Sequence, residues 1–282
     1  MIKSAYFPTR AFATKEDLFK ALKDHEEDII EFKKAHIYKG IEKSTTTGQL
    51  QPDTEAVKSI GFTTKENHIY PIISTTTYMD SHDDVHFEGC FGKTVKEQQG
   101  KVYYCADHNL STEGIIASKK DVQMIVKDIT WDVVGKDYPG TTQALIFCID
   151  KSKVINQKAM NLIESDPDIE NSIRMQYVKI VMGIDSKDKA FATNKAYYDA
   201  RINEIANADK VKEQGFFFGV EELKIHKEGS MVIAGGSNDA TRIYQHTETE
   251  AGKATSTTIE PPRSTQSDQP DYTGIIQTIK FY

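Results

Sequence analysis

From Phe216 to Ala234 the chain is apolar outright or mixes apolar and polar residues over a longer span than a straight strand usually covers. The stretch predicts a bent strand or two strands in succession, and it commits the rest of the chain to a framework that can pair with it. Earlier runs meet that need. His68 to Met79 carries Ile69, Ile72 and Ile73 followed by threonines, and Lys101–Ala106, Asp121–Asp132, Gln143–Ile149 and Ser172–Ile184 are similarly β-prone. Helical spacing marks Thr14 to Ala35, where Leu18, Leu22, Ile29, Ile30 and Phe32 form a narrow apolar stripe. Thr14 is its N-cap, with Asp17 standing in for the usual Glu or Gln of a capping box. Further helices are expected near Ser152–Ser165, ended by Asp166-Pro167-Asp168, and over Lys189–Asn207, while Gly89–Gln98 reads as a short helix or loop.

Regularly alternating βα units and a glycine-rich phosphate loop are missing from this pattern, which argues against a doubly wound nucleotide fold. The expected class is α+β with a mixed, mainly antiparallel core. Lys43 to Lys58 turns to Ser, Thr, Gly, Gln and Pro, and the chain beyond Asn238 has few large apolar residues until Ile275. These shifts divide the chain into a helical arm and linker (1–58), a core (59–238) and a flexible C-terminal tail (239–282).

A formal charge of −7 argues against nucleic acid as the main ligand. Three cysteines, Cys90, Cys105 and Cys148, cannot all pair within one chain and show no CxxC spacing, so they are expected as free core thiols in a reducing, cytoplasmic setting. The sequence holds no run of 18 apolar residues, so no membrane partner is expected. No motif calls for a cofactor.

His82, Asp83, Asp84 and His86 form the most metal-like cluster, but they fall in an expected loop, where i,i+4 spacing has no geometric meaning, and no third ligand is defined. The sharper chemistry lies in His108, at the end of one strand pattern, and Ser172, at the start of another. A serine becomes a nucleophile when an imidazole takes its proton and a third group fixes that imidazole's tautomer. Isolated serines and histidines are more often structural, and Asp107, adjacent to His108 in the chain, would point to the opposite face of a strand. The third member is sought in the strand from Phe216. If unbroken, it places Phe218, Val220, Glu222, His226, Glu228 and Val232 on one face.

Taken in order, these stretches resemble the prohead (capsid maturation) protease family of tailed bacteriophages, in the branch found in phages of Bacteroidetes-type hosts. The resemblance spans about residues 1–245. It rests on Tyr6-Phe7-Pro8 and Phe12-Ala13-Thr14-Lys15 in the arm, the acidic loop Tyr78–Val85 and Gly89-Cys90-Phe91. It continues through Ala106-Asp107-His108-Asn109, Ser172-Ile173-Arg174-Met175-Gln176-Tyr177, Glu228-Gly229-Ser230 and Gly236-Ser237-Asn238. The resemblance implies a herpesvirus-protease-like, β-barrel-like core with surrounding helices, and a serine endopeptidase with His108 as base, Ser172 as nucleophile and Glu228 as the orienting group. Glu222 and His226 compete for the third role. The acidic loop becomes a framing loop beside the site.

The implied partners are scaffold protein and the major capsid protein, cleaved inside the assembling prohead in the host cytoplasm. Self-cleavage within the tail and self-association are left open. One departure is notable: Arg174 stands where the family usually has glycine, and it either supplies a cationic donor or impairs the site. A non-enzymatic capsid-assembly or scaffold protein on the same fold is the alternative.

Overall fold

Local chemistry fixes the first elements of the computed structural model, which describes residues 1–35, 60–166, 169–233 and 236–245. A small hairpin, β1 (Ile2–Lys3) with β2 (Ala11–Phe12), leads to α1 (Lys15–Asp24). The expected capping box is present: Thr14 accepts from the Asp17 amide, and the Asp17 carboxylate accepts from the Thr14 amide. Such a cap stabilises a helix by about 1 kcal/mol. The single expected helix is broken at His25, where α2 (Glu26–Ala35) begins. Glu26, Glu27 and Asp28 at its start and Lys33 and Lys34 at its end complement the helix dipole.

The arm is not a separate appendage. Phe12, Leu18, Phe19 and Leu22 are buried in the main core. In α2 the expected apolar stripe holds at Ile29 and Ile30, which pack against that core, and fails at Phe32, which is exposed while Lys33 is buried. The Lys33 ammonium lies 2.6 Å from Asp84 Oδ1, and Tyr177 donates to Asp84 Oδ2 at 2.8 Å.

The core follows in chain order as β3 (His68–Thr75), β4 (Asp84–His86), α3 (Gly92–Gln98), β5 (Tyr103–Ala106), β6 (Ile115–Ala117), β7 (Gln123–Thr130) and β8 (Thr141–Asp150). Then come α4 (Gln157–Ser165), β9 (Glu170–Ile184), α5 (Ala192–Arg201), α6 (Ala208–Gln214), β10 (Phe216–Val232) and β11 (Arg242–Gln245). The chain leaves α6 through Gly215, whose φ of +87° closes the helix in a left-handed conformation that suits glycine.

Two larger sheets result. One is antiparallel, in the order β11-β3-β8-β7. The other is mixed and built on β10, which pairs antiparallel with β9 along one side and parallel with β4 and then β5 along the other, with β6 beyond β5. The class is α+β, with six α-helices among the described residues. The barrel-like expectation is corrected, since neither sheet closes. Their strands stack instead: Leu145, Phe147 and Ile149 of β8 enter the same core as Ile173 and Met175 of β9 and Met231 of β10. Gly229 is a point of close approach, because a side-chain carbon there would lie 2.7 Å from the Phe147 ring.

The tail boundary also moves. Residues 239–245 were assigned to the flexible tail, yet Ile243 is buried and β11 pairs with β3 from Arg242↔Ile72 to Gln245↔Ile69. The strand is too short, and too rich in polar neighbours, to announce itself in sequence. The linker over 43–58 and the tail beyond 245 lie outside the described residues.

Candidate active site

The long ribbon of β9 and β10 sets the site through one break in its register. Pairing runs in order from Phe216↔Ile184 to Val220↔Ile180, shifts near Glu222, and resumes to Ile225↔Met175. It then skips to Gly229↔Ile173 and Ser230↔Ser172. His226, Lys227 and Glu228 of β10 therefore face Arg174 of β9 alone. Lys227 takes a φ of +71°, as the extra residues of a bulge require.

The bulge corrects the expected shared face. Glu222 lies beyond it, partly exposed and 2.7 Å from Lys93. His226 falls within it, with Nδ1 buried and lacking a hydrogen-bond partner among the described residues. Glu228, in contrast, is fully buried on the far side.

The parallel strand β5 delivers the histidine. After Ala106 the chain turns through Asp107 (φ +50°) and His108 (φ +55°), two left-handed conformations in a row at residues other than glycine. Non-glycine residues persist there only when the surroundings enforce it. Here the Asp107 amide donates to Met231 O at 2.9 Å, the His108 amide to Ser230 Oγ at 2.8 Å and the Asn109 amide to Ala106 O at 2.8 Å. The turn swings the imidazole over Glu228, and His108 Nδ1 lies 2.8 Å from Glu228 Oε1 with both side chains almost wholly buried. A carboxylate only accepts, so in the neutral imidazole Nδ1 carries the proton and Nε2 the lone pair. Nε2 is buried and has no hydrogen-bond partner among the described residues. Asp107 remains exposed and takes no part.

Ser172 sits directly across the ribbon from Ser230 and is buried. Directly opposed residues of an antiparallel pair share a face, with Cβ atoms roughly 5 Å apart. Ser172 is therefore next to the serine that holds the His108 amide, although its hydroxyl does not engage Nε2. The three expected residues collect at one end of the ribbon, and one of their two contacts is made.

Arg174 occupies the same face. Its Nε approaches Glu228 Oε1 at 3.2 Å without hydrogen-bond alignment, and its Nη2 reaches His108 O at 3.4 Å. The guanidinium braces the pair from behind. Cys105, paired with Ser230 in β5, completes the surroundings at 3.6 Å from Glu228 Oε2 and 3.7 Å from Ser230 Oγ. Burial, and then the Glu228 charge, push its thiol up to about 12, so it stays a neutral donor.

Sequence reading passed over Ser230 and Cys105 as site members. Ser230 carried a usable signal, because it stands two residues after Glu228 and so shares its face in the regular strand beyond the bulge.

The metal-like loop has another job. Asp84 is taken by Lys33 and Tyr177, and His86 Nδ1 lies 3.2 Å from Ser74 Oγ. β4 pairs with Phe218–Val220, in the half of β10 away from Glu228, while the Ser81 amide of the loop donates to Ser237 O at 3.0 Å and the adjacent Gly236 amide donates to the carboxylate of Glu170, two residues before Ser172. Burial and the neighbouring Asp84 hold the Asp80 carboxyl well above its usual range. Cys148, expected in the core, is half-buried on the outer face of its sheet.

Comparison of the chain with protein-family models, curated proteins and solved structures gave no match.

Proposed function

We propose that the protein is a serine endopeptidase of the prohead-maturation type, acting on scaffold or major capsid protein inside an assembling capsid and built on a variant of the herpesvirus-protease-like fold. The observation that carries this reading is the buried contact between His108 Nδ1 and Glu228 Oε1, which leaves Nε2 as the acceptor a general base needs. Ser172 Oγ attacks the scissile carbonyl carbon as His108 Nε2 takes its proton. Glu228 stabilises the imidazolium that forms, and backbone amides beside Ser172 stabilise the tetrahedral oxyanion. The proton then passes to the leaving amine, and water repeats the sequence to release the acyl group. Closure of the Ser172–His108 contact accompanies substrate seating, since such bonds often tighten only in the complex. Arg174, engaged with Glu228 and the His108 carbonyl, serves as a brace rather than an oxyanion donor.

The second reading, a capsid-assembly or scaffold-like protein without catalysis, is favoured by one observation: Arg174 shares the oxygen of Glu228 that His108 uses. Replacement of Ser172 by Ala, with capsid protein and scaffold co-expressed and their masses measured, separates the two. Loss of processing with assembly intact supports the protease, and unaltered processing overturns it. The same spectra report self-cleavage as shortening of the chain itself.

A further inference from the structure

The sheet β11-β3-β8-β7 has an outer face that the proposed chemistry does not use. On β8, Leu145, Phe147 and Ile149 point into the core shared with β9 and β10, so Cys148 points outward. That outer face forms the wall of an open groove of about 910 Å³. Its floor is apolar and aromatic, with Phe62, Tyr70, Ile125 and Cys148. Its rim carries Lys65, Lys120, Lys127 and Lys153, drawn from separate turns and strands. Among the described residues none of these four ammoniums has an ion-pair partner. The two rim carboxylates are satisfied by neutral donors: Asp121 accepts from the Ser118 hydroxyl, and Asp150 from Asn67 Nδ2 at 3.0 Å and the Ser152 amide at 2.8 Å.

In a chain of net charge −7, four lysines against two carboxylates around one groove are a local reversal of sign. Such a groove concentrates anionic ligands. Its volume lies at the upper end of ligand sites and exceeds what a single phosphate or carboxylate fills. The apolar floor calls for side chains between the charges. The rim has no arginine to grip phosphate in a bidentate manner.

We propose that this groove is a docking site for an extended acidic peptide segment of a partner protein, with carboxylates on the rim lysines and apolar side chains on Phe62, Ile125 and Cys148. It is not a cleavage cleft. Gly229 of β10 faces Phe147, so Glu228 and Ser230 point away from this sheet, and the groove lies on the opposite side of the stacked sheets from the catalytic pair. Docking there does not depend on peptide cleavage.

The test uses the full chain and a fluorescein-labelled peptide alternating glutamate with leucine, followed by fluorescence anisotropy. Binding should weaken with added salt and fall roughly tenfold in K65E/K127E, with the circular dichroism spectrum unchanged. K120Q/K153Q should weaken it in the same direction without reversing any charge. K189E, on an exposed lysine outside the groove, should leave it unaltered. No binding, equal loss in K189E, or insensitivity to both groove variants would overturn the proposal. Tighter binding by a single-stranded oligonucleotide that displaces the peptide would overturn it in favour of nucleic acid.

Discussion

Strand β10 has a buried histidine beside each of its halves, and the two are held by different chemistry. His86 belongs to the regular half, in β4 opposite Val220, with Nδ1 on the Ser74 hydroxyl and its ring edge-on to Phe91 and Tyr177. His108 stands over the irregular half, on a left-handed turn, with Nδ1 on the Glu228 carboxylate. Both Nε2 atoms are buried without a hydrogen-bond partner among the described residues. A hydroxyl cannot offset the cost of a buried imidazolium, and burial lowers the pKa of His86 to about 4. A carboxylate favours the imidazolium that general-base catalysis creates. Burial alone therefore does not identify a working histidine; the partner on Nδ1 does.

The largest effect should come from breaking that distinction. Glu228→Gln removes the charge and, by offering an amide, can reverse the tautomer of His108, so processing should fall by roughly 10³–10⁴ with the fold retained. Ser74→Ala, the matching change at His86, should leave processing within a few-fold. Comparable losses in the two variants, read from the rate of capsid-protein shortening, would erase the proposed difference.

The regular half should instead respond in stability. Lys33→Ala strips Asp84 of its ammonium and leaves a buried carboxylate on Tyr177, which should cost about 3–5 kcal/mol in urea unfolding. A loss below about 1 kcal/mol would mean that the pair behaves as a solvated one.

How much was legible in sequence follows the same divide. Strands β3, β5, β7, β8, β9 and β10 announced themselves by β-branched and aromatic runs, and Thr14 with Asp17 marked the start of α1. β4, β6 and β11 were too short to show a period, and each exists because a longer neighbour offers it an edge. His108, Ser172 and Glu228 were named, but strand alternation could not choose among Glu222, His226 and Glu228, because it assumes a register that the bulge opposite Arg174 destroys. Lys33 was not singled out in the sequence. Only the tertiary fold brings Asp84 to it, and no local pattern carries that information.

Acid should separate the two histidines again. In the unfolded chain His86 takes a proton near its ordinary 6.5, whereas in the folded protein it resists down to about 4. Its contribution to stability is therefore complete above about pH 6.5 and is lost as pH falls toward 4, amounting to about 2 kcal/mol between pH 7 and pH 5. His86→Gln should flatten that slope by the same amount when urea unfolding is compared at the two pH values. An unchanged slope would place the acid sensitivity in other groups.

The smallest effect expected concerns Cys105, the weakest of the three groups gathered on Glu228. Its thiol donates over 3.6 Å, against 2.8 Å for His108, and its pKa near 12 keeps it protonated at any working pH. Cys105→Ala should therefore change the processing rate by no more than about threefold, in keeping with the loss of a weak donor worth under 1 kcal/mol. Iodoacetamide at pH 8 should leave the rate untouched, because the thiolate, not the thiol, is the reactive form. A rate abolished by either treatment would make Cys105 the nucleophile in place of Ser172. The contrast between the halves of β10 would then rest on a thiol beside Glu228 instead of on the imidazole.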